Sequence, residues 1–108
     1  MTAKKLAEQL ELEPLTSAAG DGVVQGCYVC DLLSLCMSKV QEGDVWITVQ
    51  ANINIVAIAV LTELACIVIA EGMQVADDVL AKANDEGVAI YRSGKSAYAL
   101  ATAVSQLL

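Results

Sequence analysis

Histidine is missing from the 108 residues, proline occurs once, and only six side chains are basic. Without imidazole, His-based triads, imidazole general bases and His-ligated metal sites are excluded together, so acid/base chemistry would rest on carboxylates, thiols or lysine. The basic residues Lys4, Lys5, Lys39, Lys82, Arg92 and Lys95 are scattered, and thirteen acidic residues bring the net charge to −7. Such a chain repels phosphate backbones and anionic lipid, so no nucleic-acid and no membrane partner is expected. Neither phosphate-loop pattern, G-x-G-x-x-G or G-x-x-x-x-G-K-[ST], occurs.

A signal-peptide core is also lacking, because residues 1–10 alternate charged and apolar side chains. A cytoplasmic setting is therefore expected, with the four cysteines as thiols. The run from 53 to 70 approaches the ~17-residue lower limit of a membrane span. It carries Asn54, Thr62 and Glu63 and ends in the β-branched stretch 65–69, so it reads as a buried helix followed by a buried strand.

What is present is apolar bulk. A hydrophobic content of 56% and a mean hydropathy of +0.59 let a short chain fill a core, so residues 1–108 read as a single domain. Thr2 is placed to cap a first helix whose apolar face is Ala3, Leu6, Ala7 and Leu10, and Pro14 lies beyond its end. Residues 12–16 and 23–29 read as extended, Gly20-Asp21-Gly22 as a turn, and Asp31 as the cap of a helix over 32–40. From residue 45 onward, apolar runs at 45–49, 66–69 and 88–91 alternate with helical stretches at 53–64, 76–86 and 96–107. Runs without polar alternation suit strands covered on both faces, so the expectation is an α/β domain with a central, mainly parallel sheet flanked by helices. The stretch 76–86 is amphipathic, with Asp77 and Asp78 in its first turn and Gly87 closing it.

The helix at 53–64 has apolar residues around nearly its whole circumference and must be covered twice. One side can pack on the sheet, and a second copy of the chain is the simplest cover for the other. A homodimer is expected, with Ile55 or Ile58 as the outward residue.

At the C-terminal end of the first strand of this alternation come Thr48, Gln50, Asn52 and Asn54. Parallel sheets bind ligands at that edge, where loop side chains and free amides converge, so these four are the candidate small-molecule contacts. Gly72 and Gly94, after the next two strands, would allow close approach. The bland alternative is that Asn52 caps a helix while Gln50 and Asn54 are solvated. Asp21, Asp31 and Glu71 are the nearest carboxylates, which leaves open a small enzyme using rim carboxylates. Cys27 and Cys30 form a C-x-x-C and leave open a thiol-based redox or metal-binding protein. Against that reading, residues three apart on an extended segment point to opposite faces, so packing thiols are expected and neither a metal nor another cofactor.

The strings Gly26-Cys27-Tyr28-Val29-Cys30-Asp31-Leu32-Leu33-Ser34, Gly43-Asp44-Val45-Trp46-Ile47-Thr48-Val49-Gln50 and Asn54-Ile55-Val56-Ala57 resemble the small stand-alone members of the DRTGG domain family. That family is similar to the N-terminal domain of HPr kinase/phosphorylase. The resemblance covers most of the chain and is most specific over 20–64. It implies a non-catalytic accessory domain, found alone or joined to kinases, acyltransferases and CBS-containing pyrophosphatases. It also implies dimerisation, small-ligand sensing, and a protein partner such as a kinase or other enzyme. Two glycines that commonly follow the second parallel strand in the family are here Glu71-Gly72, and the family more often has small residues at 27 and 30.

Overall fold

A computed structural model describes all 108 residues. The chain runs α1 (Ala3–Gln9), β1 (Glu13–Pro14), β2 (Gly26–Val29), α2 (Leu33–Lys39), β3 (Asp44–Thr48), α3 (Asn54–Thr62), β4 (Cys66–Ile69), α4 (Asp77–Glu86), β5 (Ile90–Arg92) and α5 (Ala97–Leu107). The five strands form one sheet in the order β1-β5-β4-β3-β2. β2 to β5 are mutually parallel, and β1 pairs antiparallel with β5 through Glu13 with Arg92 and Pro14 with Tyr91. The mainly parallel α/β sheet expected from the alternating runs is therefore present.

Alternation along the strands sorts side chains into two cores. Val45, Ile47, Cys66, Val68 and Tyr91 face α1 and α5, where they meet Ala3, Leu6, Leu100 and Val104. Trp46, Ile67, Ile69 and Ile90 face α2, α3 and α4, meeting Cys36, Val56, Ile58, Val79 and Ala83. Each crossover from β2 to β5 steps to the next strand in the same direction, and crossovers of one hand then put their three helices on one face. Both faces being covered explains why β3 and β4 carry no exposed residue.

Several local signals act as expected. The Thr2 hydroxyl accepts from the Lys5 amide at 3.2 Å, Asp77 and Asp78 occupy the first turn of α4, and Gly87 ends that helix at φ 70. Elsewhere the boundaries move. β5 starts at Ile90 rather than 88, because Val88 is spent on Thr16, whose hydroxyl donates to the Val88 carbonyl at 2.9 Å. The extended segment 23–29 shortens to Gly26–Val29, with Val23 making an isolated bridge to Thr2.

α3 requires the largest correction. Ile55 and Ile58 are 0% and 1% exposed and belong to the intramolecular core, so neither faces outward. The outward stripe is Ile53, Val60 and Leu61, with Leu61 65% exposed. A helix apolar all round has no polar face to reveal which side meets the sheet, so periodicity could not separate the two sets.

Candidate functional site

The four parallel strands end on one edge, and the residues anticipated there divide into two groups. The first surrounds Asp31, at the end of β2. Asp31 does not cap α2, whose N-cap is Leu32 without a side-chain bond. Its carboxylate reaches across to β3 instead: Oδ1 accepts from the Thr48 hydroxyl at 2.8 Å and from the Val49 amide at 2.9 Å. The Thr48 hydroxyl in turn accepts from the Gln50 amide at 3.1 Å, and Gln50 Nε2 donates to the Asp31 carbonyl at 2.9 Å. Asn52 Oδ1 accepts from the Asn54 amide at 2.9 Å, and its amide group lies 3.5 Å from Gln50 Oε1. The structure thus brings Thr48, Gln50, Asn52 and Asn54 into one hydrogen-bonded chain. Thr48 is 1% exposed and fully engaged, whereas Asn52 and Asn54 present their side chains to solvent.

The second group joins the turns after β4 and β5. Glu71 and Gly72 both have positive φ, 61 and 65. Their amides donate to the Lys95 and Ser93 carbonyls at 2.9 and 2.8 Å. Gly72 and Gly94 face each other, so that a Cβ built on Gly72 would lie 3.8 Å from the Gly94 Cα. Lys95 is the exposed cation of this edge. Arg92, the last residue of β5, is already engaged, with Nη2 3.1 Å from Glu13 Oε1 and Nη1 3.5 Å from the Met73 carbonyl in the turn after β4.

Asp21 lies elsewhere. It lines a cleft of about 280 Å³ at the opposite edge with Gly20, Glu63, Glu86 and Gly87. It is therefore separated from Asp31 and Glu71, and the three carboxylates do not form a catalytic set. No three cysteine, aspartate or glutamate side chains converge as metal ligands. Cys27 packs with the α1/α5 core and Cys30 with the α2/α3/α4 core, so the C-x-x-C is divided between the two faces of the sheet. Burial, with a smaller contribution from the Asp44 charge, pushes the Cys27 thiol up to about 11. Burial likewise pushes Cys66 up to about 12. Thiols this protonated at neutral pH are poor metal ligands.

Asp31, Thr48, Gln50 and Asn52 line none of the four concavities, and Asn54 alone of this chain of residues borders one, the largest. The largest, about 520 Å³, is an apolar groove between α2, α3 and α4, lined by Met37, Ile53, Val56, Val60 and Leu61 with Lys82 and Glu86 at its border. Residue patterning pointed to an uncovered side of α3, but the participation of Met37 and α4 depends on three-helix packing that no local signal encodes.

Four parallel strands and one antiparallel edge strand, covered by helices on both faces, with polar turns at one edge and an apolar groove on one helical face, define a small α/β domain. The chain is a member of the DRTGG domain family, which matches residues 5–107. Its fold is similar to that in the crystal structure of the CBS and DRTGG domains of the regulatory region of a Clostridium perfringens pyrophosphatase, complexed with the activator diadenosine tetraphosphate. That similarity has a TM-score of 0.75 at 12% identity and covers 99% of this chain and 47% of the other. No curated protein matches the chain. No helix is long and apolar enough to cross a membrane.

Proposed function

We propose that this chain is a non-catalytic, homodimeric regulatory domain that senses a small ligand at the C-terminal rim of its sheet and passes the signal to an enzyme partner such as a kinase. The observation that carries this reading is family membership over nearly the whole chain, residues 5–107. It is supported by a fold shared with the activator-bound regulatory region of a pyrophosphatase. The separation of Asp21 from Asp31 and Glu71, and the lack of histidine, speak for a non-catalytic role.

The rim favours a neutral or weakly anionic ligand over a polyphosphate. Lys95 is its one uncommitted cation, since Arg92 is bound to Glu13. The exposed amides of Asn52 and Asn54, with the half-buried one of Gln50, are the polar contacts, and the Gly72–Gly94 approach gives the ligand a flat backbone surface. Trp46 lies under the first strand end and serves as an optical reporter. A mass spectrum of small molecules that copurify with the protein identifies the ligand, and titration of Trp46 fluorescence measures its affinity. The double change Gln50→Ala with Asn52→Ala should weaken binding at least about tenfold, the worth of one lost hydrogen bond or more. An unchanged affinity places the ligand elsewhere.

A further inference from the structure

The two thiols that the structure brings together are not those of the C-x-x-C. Cys30 follows β2, and Cys36 lies within α2, six residues on. Cys36 Sγ donates to the Cys30 carbonyl at 3.4 Å. Cys30 Sγ lies 3.9 Å from the Leu32 carbonyl, the same oxygen that receives the Cys36 amide at 3.0 Å. Cys36 Sγ thus sits on the Cys30 backbone, Cys30 Sγ turns toward the first turn of the helix that carries Cys36, and both belong to the same core face with Trp46. Cys30 is half-buried and Cys36 fully buried, an accessible thiol over a sheltered one. Burial first, and the neighbouring Cys30 second, push the Cys36 thiol up.

We propose that Cys30 and Cys36 form a reversible dithiol–disulfide pair, oxidised by small-molecule disulfides such as oxidised glutathione. The Cys30 thiolate attacks one sulfur of the oxidant. A Cys30–glutathione bond forms, the oxidant's S–S bond breaks, and one glutathione thiol leaves with the proton. Cys36, after losing its proton to solvent, attacks the Cys30 sulfur. The protein S–S bond forms and the second glutathione thiol is released. Two protein thiols are oxidised and one disulfide is reduced to two thiols. Cys30 is half-buried and Cys36 buried, so the oxidant meets Cys30 first and the order of the steps follows from the geometry.

The bond would alter the rim. Oxidation removes the Cys36 S–H donor from the Cys30 carbonyl, leaving that oxygen to the Trp46 indole, which donates to it at 3.0 Å. Cys30 is also bonded to Asp31, the residue that fastens Thr48, Val49 and Gln50. A pull on residue 30 is thus transmitted to the strand end. This proposal is independent of which ligand the rim takes.

The test is incubation of the full chain with oxidised glutathione, followed by intact mass, thiol counting and peptide mapping. Reactive thiols in denatured protein should fall from four to two. The mass should drop by two hydrogens, a fragment linking 30 to 36 should appear, and dithiothreitol should reverse all of it with a change in Trp46 emission. Cys27→Ser should oxidise like the native chain, and Cys30→Ser should not. The mapping needs no variant, so a poorly folding Cys36→Ala leaves the proposal testable. A full complement of thiols, a stable glutathione adduct on Cys30, or a bond mapped to Cys27 or between two chains would overturn it.

Discussion

The Asp31 rim and the α2/α3/α4 face are the two surfaces on which a partner molecule has most to hold, and they are built on opposite principles. At the rim, polar groups are abundant and largely committed to one another, and only Asn54 among them borders a cavity. On the helical face, polar groups are few and the apolar side chains are left in water around a groove of about 520 Å³. At the rim only the exposed Asn52 and Asn54 side chains are left for solvent, and they are the contacts the proposed small ligand would use. The helical face can gain only by burying area, which suits a second copy of the chain.

The difference is tested most strongly on α3, where both surfaces of one helix are apolar. Ile58→Glu places an unpaired carboxylate in the core and should destabilise by about 4 kcal/mol or more, unfolding the chain by circular dichroism. Leu61→Glu, one turn further on and exposed, should leave folding within about 0.5 kcal/mol of native. It should also convert a sedimenting dimer to monomer. A native protein that is monomeric at micromolar concentration, or a Leu61→Glu variant that still dimerises, breaks the assignment of this face.

The sheet beneath both surfaces has its own signature in alkali. Burial holds the Cys66 thiol near 12 against an ordinary 9.0. Between those values the unfolded chain releases a proton that the folded chain retains, so stability falls as pH rises through that interval and is fully present below it. Urea unfolding of the native protein on either side of pH 9.0 should show the loss, and Cys66→Ala should make it shallower, Cys27 and Cys36 keeping their share, at the cost of some packing.

Asp31 sharpens the rim side of the comparison. Asp31→Ala strands the buried Thr48 hydroxyl and the Val49 amide, and should cost about 2 kcal/mol in chemical denaturation, with Asp31→Asn recovering part. An effect below about 0.5 kcal/mol would mean that the network does not hold β2 to β3. The smallest change is expected at Glu71, whose φ of 61 is a conformation glycine adopts freely. Glu71→Gly should raise stability by up to about 1 kcal/mol, visible as a small increase in Tm.

Much of the architecture was legible because particular residues left little choice. Uninterrupted apolar runs such as Cys66–Ile69 fit only doubly covered strands, and Gly87 could only end a helix. β1 was legible as the extended stretch 12–16, but its place in the sheet was not, as Glu13 and Pro14 owe their antiparallel pairing to Tyr91 and Arg92 far along the chain. The position of Thr48, Gln50, Asn52 and Asn54 at and after a strand end was legible from the apolar run before them, but their mutual bonds were not. An aspartate before a helix looks like a cap, and only the register of Val29 with Ile47 brings Asp31 beside Thr48. The approach of Cys36 Sγ to the Cys30 carbonyl was hidden for the same reason, since it depends on how α2 folds back on the end of β2, whereas the C-x-x-C spacing marks residues that the pleat sends apart.

The antiparallel edge has a consequence for how the chain is made. Residues 13–17 have partners in the segment 84–92: Leu15 donates to the Ile90 carbonyl, the Ser17 amide to Asn84 Oδ1, and Arg92 grips Glu13 across 79 positions. During synthesis the β2-to-β4 part of the sheet can assemble from chain-adjacent strands as it emerges, while this N-terminal stretch waits with its donors unmatched. It can be docked only once residues 84–92 have emerged, so a segment synthesised before most of the sheet is secured after it.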